Sequence, residues 1–320
     1  MSYTIIRPKD HAEWLKHRES GIGSSEVGTI LGLNPWETPY QLWRRKKGLD
    51  APKQENFAMR AGHYLEDAVS LFYRDETGKE IIKSSAGDWL IVDNEKPYLR
   101  VSPDRTFWIP GRKKSDRNKG ILECKTTQME IDPESLPGHW FAQLQYQLGV
   151  AELEQGALAW LTMGRQFGYK DIMFDKEFYE YMVEEIDRFW IDNIQGGIEP
   201  NPANVEDILL RNPKHVPGMT IEANAQLVDS CRQLKQVKQD IKDLEDRKSE
   251  LEKDIKMAIG EAEALVAPGE TGKARPIVLA TWKANKDSVR FDDKTFAKEN
   301  PELFAKYQYT APGARILRLK

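Results

Sequence analysis

Val101-Ser102-Pro103-Asp104 is followed nineteen positions later by Glu123-Cys124-Lys125. A strand alternates faces with a period of two residues. Glu123 and Lys125 therefore share one face, and Leu122 and Cys124 the other. With the segment ending in Asp104 as a neighbouring strand, its carboxylate meets Glu123. Two hard oxygen ligands then lie beside an ammonium, a set suited to metal-assisted cleavage of a phosphodiester. In that reading Asp104 and Glu123 bind the metal, with the Cys124 backbone carbonyl as a possible third ligand. Lys125 orients the attacking water or stabilises charge, and Glu66 reaches a second metal or a bound water. An isolated E-x-K is more often an exposed strand edge, so the rest of the chain has to decide.

The chain has 320 residues and net charge -4, with 40% hydrophobic residues. That length suits a large domain with an appendage. The acidic balance does not announce a nucleic-acid binder, but basic clusters occur at Arg44-Arg45-Lys46-Lys47 and between Arg112 and Lys119. Each is more often a solvated face, so neither decides the question alone. Two cysteines, Cys124 and Cys231, offer neither a disulfide framework nor zinc spacing. A reduced, cytoplasmic setting is expected, with no membrane association. The first ten residues lack the apolar region of a secretory signal.

Capping and periodicity predict helices over 10–20, after Gly23, over 39–47 and over 57–77, where Ala61, Leu65, Val69, Phe72 and Tyr73 recur at helical spacing. Strands are predicted over 88–93, 98–108 and 119–126, then a helix over 138–152, a hairpin over 156–164 and 167–174, and a helix over 176–195. This order reads as a mixed α/β domain. Beyond residue 220, Leu227, Leu234, Ile241, Lys248 and Ile255 are spaced by seven, and Val237, Leu244, Leu251 and Ala258 fill a second heptad position. A helix lying along its own domain and a dimeric zipper both fit. Short strands at 276–282 and 314–319 and a helix near 293–299 complete a C-terminal appendage. The division is drawn at 1–205 and 206–320.

Five blocks stand in a definite order: Arg18 with Gly21-Ile22-Gly23-Ser24-Ser25-Glu26, Gly62-His63-Tyr64-Leu65-Glu66, Ser102-Pro103-Asp104, Leu122-Glu123-Cys124-Lys125, and Gln143-Leu144-Gln145-Tyr146. In this arrangement the chain resembles the lambda-exonuclease-like, YqaJ-type viral recombinases of the PD-(D/E)xK nucleases. The resemblance spans residues 11 to about 165. It implies a restriction-endonuclease-like α/β core: a mixed sheet flanked by helices. It further implies a Mg²⁺-dependent 5′→3′ double-strand DNA exonuclease, with Mn²⁺ able to substitute. Such an enzyme leaves 3′ single strands for an annealing protein, works as a homotrimer around DNA, and is encoded by a phage or prophage in a bacterial host. Carried over by position, Asp104 and Glu123 are metal ligands, Lys125 the catalytic lysine, Glu66 the accessory acid and Gln145 the amide touching the site. Arg18 and Ser25 form a 5′-phosphate pocket, where a guanidinium and a hydroxyl grip an anion. A restriction-like endonuclease or nickase, and a non-catalytic DNA-end binding protein, remain as competing functions.

Overall fold

The computed structural model describes residues 2–50, 56–82, 89–267, 276–311 and 313–319. These divide into two units, Met1–Arg211 and Asn212–Lys320.

The first unit opens with β1 (Tyr3–Ile6) and three short helices, α1 (His11–Glu19), α2 (Ser24–Ile30) and α3 (Pro39–Lys46). Asp10 caps α1 by accepting from Glu13 N, and Thr38 caps α3 through a reciprocal box with Gln41. The amphipathic helix α4 (Phe57–Thr77) is capped by Asn56 and ends at Gly78, whose left-handed φ of 68° suits glycine. Next come β2 (Ile81–Ile82), β3 (Leu90–Asp93), β4 (Arg100–Val101), β5 (Arg105–Trp108) and β6 (Lys119–Thr127). Then follow α5 (Gly138–Val150), β7 (Gln155–Thr162), β8 (Gln166–Met173), α6 (Lys176–Arg188) with a π-helical turn at Phe189–Gln195, and α7 (Val205–Arg211).

Five strands form a mixed sheet in the order β2-β5-β6-β7-β8, in which only β6 and β7 run parallel. The crossover joining that parallel pair contains α5, as parallel neighbours require. One face of the sheet packs Val69 and Tyr73 of α4 against Phe107, Leu122, Ala157 and Ala159. On the other, Leu144 and Leu148 of α5 meet Ile121, Leu158 and Trp160. Gly120 lies opposite Phe107, whose ring occupies the place of a Cβ, so a larger residue there would displace it.

The predicted strand over 98–108 is in fact two. β4 joins β1 and β3 in a separate antiparallel sheet, whereas β5 joins the five-stranded one. The break falls at Ser102-Pro103-Asp104, where Pro103 has no N–H for a ladder and Ser102 Oγ donates to Trp89 O. The predicted strand at 88–93 begins at Leu90; Asp88 lies outside the described residues.

In the second unit a single helix, α8 (Ala225–Ile259), runs 35 residues and is capped by Asn224. β9 (Ala264–Ala267) and β10 (Ile277–Thr281) form an antiparallel pair, and α9 (Asp293–Glu299) and α10 (Pro301–Lys306) follow. The strand expected at 314–319 is absent from the described residues 313–319; Ile316 and Leu317 are exposed there and meet no sheet edge. No described helix is long and apolar enough to cross a membrane.

Candidate active site

The register of β5 and β6 sets the site. Arg105 pairs with Leu122, so Asp104, one residue earlier, falls beside Glu123 and Cys124. Cys124 N donates to Asp104 Oδ2 at 2.8 Å, which ties the aspartate to the strand carrying its partners. Strand alternation sends Leu122 and Cys124 towards α4, and Glu123 and Lys125 towards α5. Lys125 Nζ lies 2.8 Å from Glu123 Oε1, and Glu123 is only 2% exposed. Asp104, Glu123 and Lys125 thus form one cluster, as the sequence pattern predicts.

Its electrostatics are those of crowded carboxylates. Burial, then the charges of Glu123 and Glu66, hold the Asp104 carboxyl well above the usual range; Lys125 and the Cys124 N–H offset this only in part. Burial works against the Lys125 ammonium too, but Glu123 and Asp104 outweigh it and raise its pKa. Glu66, on α4, lies 3.8 Å from Arg105 Nη1, and its Oε1 lies 3.0 Å from His63 Nδ1, accepting from it in the tautomer protonated there. Burial and the neighbouring carboxylates raise the Cys124 thiol, so it is not a poised nucleophile.

This donor set fits a hard divalent cation. Asp104 and Glu123 supply oxygen, and the uncompensated negative charge around Asp104 is relieved by a cation. Among the described residues no group of three or more His, Cys, Asp or Glu is placed to ligate one ion. Two carboxylates suffice for Mg²⁺, which keeps several of its waters.

α5 supplies the amides, though not the one expected. Gln145 donates to Met173 O and accepts from Asp175 N, both at 2.8 Å, so it fastens the β8–α6 corner instead of touching the acids. Gln143 and Gln147 touch them. Gln143 Nε2 lies 2.5 Å from Glu123 Oε1, and its Oε1 accepts from Lys125 Nζ at 2.8 Å. Gln147 Nε2 donates to Glu123 Oε2 at 2.8 Å and reaches Ser24 Oγ at 3.2 Å. The helical repeat explains the exchange: Gln143 and Gln147 are one turn apart, whereas Gln145 points roughly 200° away from Gln143. That i, i+4 spacing was the available signal.

Arg18 and Ser25 are brought together beside this cluster. Arg18 Nη2 donates to Ser25 Oγ at 2.7 Å, with the guanidinium over the Trp14 ring at 5.0 Å. A cleft beside this pair is lined by Trp14, Arg18, Ser24, Ser25, Ser102 and Gln143, and Gln143 on its wall also bonds Glu123. The loop is held from below: Tyr146 OH donates to Ile22 O and accepts from Arg100 N. α2 approaches α5 closely because Gly28 lies against His139, leaving no room for a Cβ.

Three residues of the basic run 44–47 are engaged in ion pairs within the chain, and Lys47 is exposed. Lys46 Nζ meets Glu26 Oε2 at 2.8 Å and Gly21 O at 2.6 Å, Arg45 grips Glu37 and Glu26, and Arg44 pairs with Asp50. In the 110–119 loop, Arg112 pairs with Glu154 and Lys114 with Glu80. Tyr40 and Trp43 are buried in the core, whereas Trp36 is 70% exposed and meets His139 edge-on.

Residues 13–154 match the family described as the YqaJ-like viral recombinase domain. All of Asp104, Glu123, Lys125, Glu66, Arg18, Ser25, Gln143 and Gln147 lie within it. The chain is 29% identical over 305 residues to the uncharacterized protein YqaJ of Bacillus subtilis (strain 168), covering 92% of this chain and 89% of that one. It is 23% identical over 159 residues to the uncharacterized protein R354 of Acanthamoeba polyphaga mimivirus, covering 45% of this chain and 27% of that protein. An alkaline exonuclease from Laribacter hongkongensis aligns with a TM-score of 0.44 at 17% identity, over 58% of this chain and 93% of its own.

Proposed function

We propose that this chain is a metal-dependent deoxyribonuclease of phage-type recombination, acting as a 5′→3′ exonuclease on double-strand ends. The observation that carries the reading is the convergence of Asp104, Glu123 and Lys125, braced by Gln143. The YqaJ-like viral recombinase domain supports a nuclease that works in recombination. The direction, the 3′ overhang, the homotrimer and the annealing partner follow from the family resemblance of the five sequence blocks.

Asp104 and Glu123 would hold Mg²⁺, which neutralises phosphate charge and lowers the pKa of a bound water. Gln143 and Gln147 fix the carboxylate of Glu123 by bonding both of its oxygens. Lys125, held between Glu123 and Gln143, keeps its proton and presents positive charge where the phosphate gains negative charge. Arg18 and Ser25 would take the terminal 5′-phosphate at the far end of the cleft, fixing the distance from end to scissile bond.

The test uses end-labelled linear duplexes carrying a 5′-phosphate or 5′-hydroxyl and a covalently closed circle, each with Mg²⁺ or EDTA. Nucleotide release from the 5′-phosphorylated strand, dependent on Mg²⁺ and absent on the circle, is expected. Cutting of the circle would transfer the site to an endonuclease or nickase. Binding of ends without release under any divalent metal would leave a non-catalytic end-binding protein.

A further inference from the structure

We propose that α8 is a pairing surface for a second copy of this chain, the two helices running antiparallel over their full length. The helix is about 52 Å long at 1.5 Å per residue. Its heptad side chains lie open: Leu244 is 65% exposed, Leu251 55%, Leu227 53%, Ile241 51% and Val237 49%. An apolar stripe of this kind, interrupted at Lys248, marks an association surface. The reading of α8 as a helix buried along its own unit does not hold for these positions.

The charges select the partner and the direction. A parallel, in-register pair would set Lys248 against its own copy in the core and Asp240 beside Glu245 of the other helix, against one attractive pair, Arg247 with Glu252. Antiparallel pairing with complete overlap does the reverse. Ile241 then packs on Leu244, Leu234 on Leu251, and Lys248 on Val237. On the flanks Lys238 faces Glu245 and Asp240 faces Arg247, each contact occurring twice by the two-fold symmetry. Sliding by one heptad one way opposes Lys238 to Lys238 and Asp240 to Asp240. Sliding the other way opposes Glu245 to Glu245 and Arg247 to Arg247. The register of greatest overlap is therefore also the register of complementary charge, so the stripe matches itself. Among the described residues, Lys238, Glu245 and Arg247 make no ion pair within their own chain. The pairing is independent of the nuclease reading, because α8 lies outside the YqaJ-like domain.

Cys231 is exposed on α8 and, in this register, faces Glu252 of the other copy. The full-length Glu252→Cys protein, treated with a short bismaleimide, should give covalent dimers in which Cys231 of one copy is joined to position 252 of another, read by mass spectrometry of linked peptides. Association through residues 1–211 would change the particle mass but not which positions join. Separately, Asp240→Arg should weaken self-association about tenfold by sedimentation, and adding Arg247→Asp should restore it. Links joining like positions, or no links while circular dichroism shows intact helix, would overturn the proposal. So would links that form only when another protein or single-stranded DNA is added.

Discussion

Gln143 Nε2 lies 2.5 Å from Glu123 Oε1, closing a triangle with Lys125 Nζ. The amide thereby orients both the carboxylate and the ammonium. Gln143→Ala should lower nuclease activity about 10- to 100-fold, the usual effect of removing a residue that orients a ligand. Gln145→Ala should behave oppositely. Its two hydrogen bonds brace the β8–α6 corner, so the loss should be about 1–3 kcal/mol of stability with activity per folded molecule retained. Denaturant midpoints and rates corrected for folded fraction separate the two. Equal loss of activity in both variants would contradict the assignment.

Asp104 shares its surroundings with Glu123 and Glu66, and burial aggravates the repulsion. Asp104→Asn removes a charge from that crowd. The variant should melt a few degrees higher than the wild type without metal, yet release no nucleotide, a trade of stability against activity. Adding Mg²⁺ should raise the wild-type melting temperature by linkage and leave the variant unmoved. Melting curves with and without Mg²⁺ check both halves.

Lys125 is a positively charged group held in place, not a ligand. Lys125→Ala should therefore retain Mg²⁺ binding by calorimetry while losing about 10²–10³-fold in turnover, as when one stabilising donor is removed from a reacting centre. A parallel loss of metal affinity would make its role one of holding Glu123.

Arg18 and Ser25 share a hydrogen bond at 2.7 Å and line a cleft whose wall includes Gln143, the amide that bonds Glu123. Arg18→Ala should abolish the preference for 5′-phosphorylated over 5′-hydroxyl ends and spare metal binding. The ratio of rates on the two substrates measures this. Equal slowing on both would assign Arg18 to scaffold packing against Trp14.

How far the chain announces this arrangement differs by region. Phe57–Thr77 is legible to the residue, because an asparagine cap, an apolar stripe and a terminal glycine agree. Glu123 and Lys125 are legible because strand alternation assigns their faces, and Asp104 because it stands directly before the neighbouring strand. The division of 98–108 between two sheets is not, since one residue without an N–H looks the same in an edge strand as at a crossing between sheets. Ala264–Ala267 passes unnoticed because four small or apolar residues carry no period. The run 44–47 misleads for a different reason: charge density does not reveal that Glu26 and Glu37, which stand on other turns of the chain, pair with it.

That ion cluster gives a pH prediction. Glu26 is buried and bonds Lys46, Arg45 and Gly23 N. Burial raises its pKa, but Lys46 and Arg45 outweigh burial and the net direction is down. A carboxylate whose folded pKa is depressed adds stability above its unfolded value of about 4.3, and that stability disappears as pH falls through the folded value. The stabilisation should therefore be complete at neutral pH and lost in the window below about 4.3. Lys46, whose pKa burial lowers, stays charged throughout that acidic window and adds no slope there. Glu26→Gln should cost about 3 kcal/mol at pH 7, since it leaves the buried Lys46 ammonium with neutral oxygens only and no counter-charge, and should flatten the acid limb of the stability profile. Urea midpoints from pH 3 to pH 7 (roughly the carboxylate window) give the comparison. Parallel profiles for wild type and variant would show that another carboxylate governs acid unfolding.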